Sequence, residues 1–261
     1  MTSLPPASAW AKARFGETKA EPVRERVVSA LVEMQSIAEQ AHRIARQSTR
    51  HTYGITRWRG QFDRFADIVG GEDGARLIKP PRCSFHLVAV GDSLLYPFLY
   101  ATDLNVNVKY ASLPQPVSEL TRTLFKSFGK HAGSRQEELF SVELHQAAVF
   151  REVGSDTRLV LVPYASNLDA GLLTAWWGEG SLCADGTVAW TEGMPESLPI
   201  QLPTDDGQRK PLGLVGTGFE SLKPFDQGEE PSLDFPPRRP GTLPSSEKDQ
   251  PDPEAEGNGQ P

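Results

Sequence analysis

The sequence predicts an α+β fold, in which N-terminal helices precede a mainly antiparallel sheet with one intervening helix, and a disordered acidic tail follows. Three observations predict this class. Apolar residues recur at helical spacing before residue 70, short runs rich in Val, Tyr and Trp dominate residues 84–190, and Pro, Gly and acidic residues dominate the C-terminus. Helices that precede strands, rather than alternate with them, are typical of α+β proteins. We therefore predict a flexible arm over residues 1–20 and a helical region over residues 21–80. A sheet-rich region over residues 81–200 is expected to pack with the helical region as one domain, and residues 201–261 are expected to form a largely disordered tail.

The longest predicted helix has Pro22 in its first turn. Its apolar residues lie alternately four and three apart, at Val23, Val27, Ala30, Met34, Ile37, Ala41 and Ile44. This spacing forms one stripe along a helix. Leu31 and Ala38 widen the stripe, so we expect the helix to pack against its own domain rather than form a two-stranded coiled coil. A homodimer through residues 23–45 is the alternative.

Two shorter helices are predicted from the same kind of spacing. One covers residues 57–69, through Trp58, Phe62, Phe65 and Ile68. The other covers residues 117–128 and has Gly129 as its cap, through Val117, Leu120, Leu124 and Phe128.

The remaining core is expected to be strands. Residues 84–100 are almost continuously apolar, and Pro97 predicts either two strands there or one bent strand. Residues 104–113 alternate apolar and polar side chains, which predicts a half-exposed strand. Three further strands are expected in TRLVLVPYAS, GLLTAWWGEGSLCA and GTVAWTEG, with Asp185-Gly186 as the hairpin turn between the last two. Residues 137–151 fit a helix or a strand equally well.

Composition narrows the class of function. The net charge is −7, but residues 1–80 carry an excess of four positive charges while the rest of the chain is acidic. The two cysteines favour a reducing compartment, and no apolar run is long enough for a signal peptide or a membrane helix, so we expect a cytoplasmic protein without a membrane partner. No Gly-rich phosphate loop, CxxC pair or HExxH motif occurs, and we predict neither a cofactor nor a metal site.

The densest group of basic residues lies between positions 42 and 64. Its guanidinium groups could neutralise phosphates while Trp58 stacks on a base, which makes a nucleic-acid or anion site a hypothesis for Arg43, Arg46, Arg50, Arg57, Trp58 and Arg59. The alternative is that these residues form the solvated face and C-terminal end of a helix, where cations are favoured by the helix dipole.

The letters GDSL occur at residues 91–94, directly after an apolar run. About eight residues around them resemble the opening block of the GDSL esterases, also called SGNH hydrolases. The resemblance implies that Ser93 is a nucleophile and that a histidine near the end of the domain is its base. The last histidine of this chain is His145, so we predict a Gly-Asp-Ser turn between strands and keep a serine hydrolase, with His131 or His145 as base, as an alternative.

Two further sequence patterns contain candidate functional residues. Asp92 and Lys109 are spaced as in metal-dependent nuclease cores, but Asn107 stands where such a core has a second carboxylate. Trp176 and Trp177 are adjacent on a predicted strand, so one must point into the core and the other away from it.

The preferred hypothesis is a non-catalytic protein-interaction or regulatory protein whose partner is another protein. A nucleic-acid-binding protein and a serine hydrolase built on Ser93 are the alternatives.

Overall fold

The computed structural model describes residues 6–130, 156–191 and 193–200. The helices are α1 (Ala9–Phe15), α2 (Ala20–Ala45), α3 (His51–Arg64), which continues as a π-helical turn (Phe65–Val69), and α4 (Glu119–Phe128). A 3₁₀ turn covers Val108–Tyr110. The strands are β1 (Ala75–Ile78), β2 (Leu87–Val90), β3 (Ser93–Ala101), β4 (Arg158–Asn167), β5 (Gly171–Trp177), β6 (Gly180–Leu182), β7 (Val188–Trp190) and β8 (Glu196–Leu198). The fold is α+β, as predicted.

The strands form one six-stranded sheet in the order β1-β2-β3-β4-β5-β8 and one two-stranded sheet, β6-β7. Only β3 and β4 pair in parallel, and the other neighbours in the large sheet are antiparallel. A parallel pair requires a crossover connection, and α4 lies within it. This explains why one helix interrupts the strand-rich part of the sequence.

The large sheet has an apolar core on each face. One face packs against α1, α2 and the π-helical turn, through Val88, Leu95, Val160, Val162 and Trp177 on the strands. The other face packs against α4 and β7, through Leu87, Leu94, Phe98, Leu159 and Leu161. Because successive side chains of a strand point to opposite faces, β3 and β4 are buried on both sides, which accounts for their nearly continuous apolar sequences.

The predicted flexible arm is wrong for residues 9–15, which form α1. Ser8 caps this helix by accepting a hydrogen bond from the Ala11 backbone N–H at 3.1 Å. Phe15 is buried and its ring stacks on Trp177 at 5.2 Å. Sequence spacing missed α1 because the helix has two turns, which is too short for a periodic pattern.

The GDSL letters span the turn between β2 and β3 and the first two residues of β3. Val90 pairs with Ser93, so that Gly91 and Asp92 are the two loop residues. Gly91 has a φ of 55°, which a two-residue hairpin turn of this kind requires at its first position. The break predicted at Pro97 therefore lies at Gly91. Pro97 fits inside β3 because β2 pairs only with Ser93–Leu95. On the side of β3 that faces β2, position 97 therefore needs no backbone N–H for a hydrogen bond.

The half-exposed strand predicted over residues 104–113 is wrong. Asp103 accepts a hydrogen bond from the Asn105 N–H at 2.7 Å, and Asn107 accepts one from the Lys109 N–H at 2.9 Å. Short polar side chains that bind nearby backbone groups compete with strand pairing. The segment therefore forms bends and the 3₁₀ turn.

The predicted hairpin at Asp185-Gly186 is present, since β6 and β7 pair in antiparallel fashion on either side of it. Of the two residues, only Gly186 has a positive φ, 85°. The ambiguous residues 137–151 and the predicted tail at 201–261 lie outside the described residues. In the described part of the chain, no helix is long and apolar enough to cross a membrane.

Candidate functional site

Helices α2 and α3 form an antiparallel hairpin that carries all six residues of the predicted basic site. Arg64 on α3 pairs with Glu33 on α2 at 3.1 Å, and a Cβ added at Gly60 would lie 3.3 Å from the Met34 side chain. The two helices are therefore closely packed around the middle of α2.

Buried hydrogen bonds join this hairpin to the sheet. The Tyr53 hydroxyl donates to Gln35 at 2.9 Å, and the Gln35 amide donates to the Asn167 carbonyl at 2.9 Å. The Tyr164 hydroxyl donates to Gln61 at 2.8 Å. Burial raises the pKa of Tyr164 well above its ordinary value. These contacts set the position of the hairpin relative to β4.

Beside these contacts, part of the hairpin surface faces solvent. We call residues 37–58, which include the end of α2, the linker and the start of α3, the hairpin tip. Four large apolar side chains of the tip are exposed: Ile37 by 37%, Ile44 by 80%, Ile55 by 51% and Trp58 by 53%. Ile37 and Ile44 are seven residues apart and so share one face of α2.

Three of the predicted basic residues bind groups of the protein itself. Arg50 pairs with Asp169 at 3.1 Å. Arg57 donates to the Ser166 carbonyl at 3.4 Å, and its guanidinium lies 5.0 Å from the centre of the Tyr53 ring. These two arginines help to hold the hairpin on the β4–β5 turn, which reduces the positive charge left for a ligand.

Arg59 also binds within the chain, since it pairs with Asp63 at 2.9 Å and donates to Ser84. Trp58 packs edge-on against Phe62 and Phe85 while about half of it stays exposed. Arg43 and Arg46 are exposed, and within the described residues they have no ion pair or hydrogen-bonded partner. The structure thus separates the six predicted residues into three that hold the fold and three that face solvent.

The backbone of Arg46 has an unusual conformation for its residue type. This residue ends α2 with a φ of 49° and a ψ of 30°, in the left-handed region where glycine is preferred. An L-residue there costs roughly 1 kcal/mol. A cation therefore occupies a position where glycine would be more stable, two residues after Ile44, which has the most exposed large apolar side chain of the described residues.

Ser93 does not have the exposure that a nucleophile needs. Its side chain is 0% exposed, and its hydroxyl has no hydrogen-bond partner among the described residues. His86 precedes β2, whereas Ser93 pairs with Val90 at the opposite end of that strand. His131 and His145, the candidate bases, lie outside the described residues.

The nuclease-like residues are far apart. Asp92 lies in the β2–β3 turn, whereas Lys109 lines a groove with Tyr100 near the other end of β3. Eight residues of extended strand span about 26 Å. Asp92 and Lys109 are therefore too far apart to act on one metal ion.

The tryptophan pair behaves as its alternation requires. Trp177 is fully buried under α1, and Trp176 is partly exposed on the opposite face of β5. Neither Ile44 nor Ile55 was predicted from the sequence to be a surface residue. The available signal was the position of Ile44 at the end of the apolar stripe, beside Arg43 and Arg46.

Comparisons with protein-family models, curated proteins and solved structures find no match.

Proposed function

We propose that this chain acts by contact rather than by catalysis, as a cytoplasmic protein-interaction or regulatory protein whose hairpin tip binds another protein. The observation that carries the proposal is the exposure of Ile44, 80%, at the end of a helical stripe whose members up to Met34 are buried. Ile37 also exposes part of its side chain on the same face of α2, and exposed apolar patches are typical of partner-binding sites.

The charge around this apolar surface indicates the chemistry of the partner. Arg43 and Arg46 flank Ile44 in sequence and have no carboxylate partner among the described residues. Complementary charge at the rim of an interface steers association and selects the partner. We therefore expect a partner surface with an apolar centre and acidic residues around it.

Two features support a protein partner over the alternatives. Arg50, Arg57 and Arg59 bind groups of the chain itself, which leaves few cations for the phosphate contacts that dominate nucleic-acid binding. The buried hydroxyl of Ser93 gives a hydrolase no accessible nucleophile. The homodimer considered for residues 23–45 would have to use Ile37 and Ile44, because Val23, Val27, Ala30 and Met34 are buried in the chain's own core.

A photo-crosslinking amino acid at position 44 tests the proposal in cells that naturally make the protein. We expect one protein adduct in high yield, and we expect Arg43→Glu with Arg46→Glu to abolish it. The matched control is Lys79→Glu with Lys126→Glu, which changes the net charge equally at two exposed sites outside the tip.

Three outcomes would overturn the proposal. The adduct could be removed by nuclease, which would favour the nucleic-acid alternative. The control charge reversal could remove it as efficiently as the reversal at the tip. A crosslinker at position 79 could give the same adducts as one at position 44, which would show nonspecific contact.

A further inference from the structure

A second surface lies on the opposite face of the sheet from α2. The loop that follows β3 and the outer face of β5 enclose an open groove of about 600 Å³. Its walls include Tyr100, Leu104, Val106, Lys109, Thr174 and Trp176. This groove is separate from the hairpin tip, so an inference about it does not depend on the function proposed above.

The groove exists because the sheet face beside β5 has little cover. In the described part of the chain, helix α4 packs mainly against β4 and β6. Ser197 on β8 pairs with Trp176 and is exposed on the same face. The indole of Trp176 therefore remains partly accessible instead of being covered by a packed layer.

Hydrogen bonds hold the walls of the groove in place. Trp176 Nε1 donates to Thr174 Oγ1 at 2.5 Å, which orients the indole. Trp190 Nε1 donates to the Val108 carbonyl at 3.0 Å, and Asn167 donates to the Thr102 carbonyl at 3.0 Å. Walls that are ordered before a ligand arrives lower the entropic cost of binding it.

The lining is mainly apolar and contains one charged side chain. Leu104 and Val106 expose 62% and 41% of their surface toward solvent at the rim. Lys109 is the only charged residue among the described groove residues, and it is exposed without an ion-pair partner among them. A groove with an aromatic wall, an apolar rim and a single cation complements a flat apolar molecule that carries one negative charge.

We propose that this groove binds a small planar aromatic ligand with a carboxylate or similar anionic group, its ring against Trp176 and its anion beside Lys109. The volume of about 600 Å³ lies within the usual range of small-molecule sites. Thr174 positions Trp176 and is not itself required to touch the ligand.

The test is a fluorescence titration of the full chain with 1-anilinonaphthalene-8-sulfonate, an anion with a flat naphthalene ring. We expect saturable binding that Lys109→Glu weakens about five-fold, as for an exposed ion pair. Trp176→Ala should weaken it about ten-fold through lost ring contact. The uncharged analogue N-phenyl-1-naphthylamine should respond to Trp176→Ala and not to Lys109→Glu.

Two controls make the test specific. Lys79→Glu changes an exposed lysine next to β1, at the far edge of the sheet, and should leave dye affinity unchanged. Trp58→Ala removes the exposed tryptophan of the hairpin tip and should also leave it unchanged. Thermal melting shows whether Trp176→Ala still folds, and Lys109→Glu alters only an exposed side chain.

The proposal is overturned by nonsaturable dye adsorption, by equal effects of Lys109→Glu and Lys79→Glu, or by loss of binding in Trp58→Ala with retention in a folded Trp176→Ala.

Discussion

Val27, Ala30 and Leu31 in the first half of α2 expose none of their surface, whereas Ile44 near its end exposes 80%. Both halves carry the same apolar spacing. The difference comes from the neighbours: the first half lies between α1, the π-helical turn and the sheet, and the sheet ends at the β4–β5 turn, beside Glu39. The periodicity of a helix thus identifies its apolar face. How far the neighbouring helices and strands extend decides how much of that face is buried.

The largest expected effect tests the buried half. Leu31→Ala should lower the free energy of unfolding by about 3 kcal/mol, since it removes a fully buried side chain and leaves a cavity. Denaturant unfolding followed by circular dichroism measures this loss. A loss below about 1 kcal/mol would mean that the first half of α2 is not the closely packed part.

The next effect tests the contact between the hairpin and the sheet. Tyr164→Phe leaves the buried Gln61 oxygen without its donor and should cost about 1 kcal/mol at neutral pH. Since burial raises the folded pKa of Tyr164 above its ordinary value of 10.0, its contribution is complete below pH 10 and is lost as the pH rises further.

The stability of Tyr164→Phe should therefore fall less steeply above pH 10 than that of the unmodified chain. Denaturant unfolding between pH 8 and pH 11.5 measures both slopes. Tyr110→Phe is the matched control, because Tyr110 is 77% exposed and should give no change. Parallel slopes for Tyr164→Phe and the unmodified chain would contradict the burial of this hydroxyl as the cause.

A smaller effect, of opposite sign, is expected at the tip. Arg46→Gly should raise the free energy of unfolding by about 0.5 to 1 kcal/mol, because glycine adopts the left-handed conformation without steric cost. Arg43→Gly, inside the helix, should lower it by about 1 kcal/mol. If the proposed function is correct, Arg46→Gly stabilises the fold while it weakens partner binding, and a destabilised Arg46→Gly would refute the strain.

The smallest effect belongs to Ile44. Ile44→Ala should change the free energy of unfolding by less than about 0.5 kcal/mol, because the side chain is mostly in solvent already. The same unfolding experiment as for Leu31→Ala provides the comparison. Equal losses for the two variants would show that the tip is covered in solution.

Much of the fold could be predicted from local patterns, and the failures have physical causes. The spacing of Val23 to Met34 predicted α2, and Asp185-Gly186 predicted a hairpin. Asn107 was read as the polar half of a strand pattern, but its side chain binds the Lys109 N–H and forms a turn instead. Helix α1 is too short to show a period, although it buries Phe15 against Trp177.

The candidate site was predictable only in part. A cluster of arginines is visible in the sequence, but the acceptors of Arg50 and Arg57, Asp169 and the Ser166 carbonyl, lie more than a hundred residues away along the chain. No local pattern can show which cations are already bound. The groove beside Trp176 likewise combines segments around residues 100–109 and 174–195.

The amino-acid sequence by itself determined where helices and strands form, because capping, turn residues and apolar spacing act over a few neighbouring positions. The tertiary structure alone decided which apolar and basic residues of α2 and α3 face solvent, and that Ser93 is buried. Whether a side chain is buried depends on which segments, distant in sequence, pack over it. The positions of those segments are set by the packing of the complete fold.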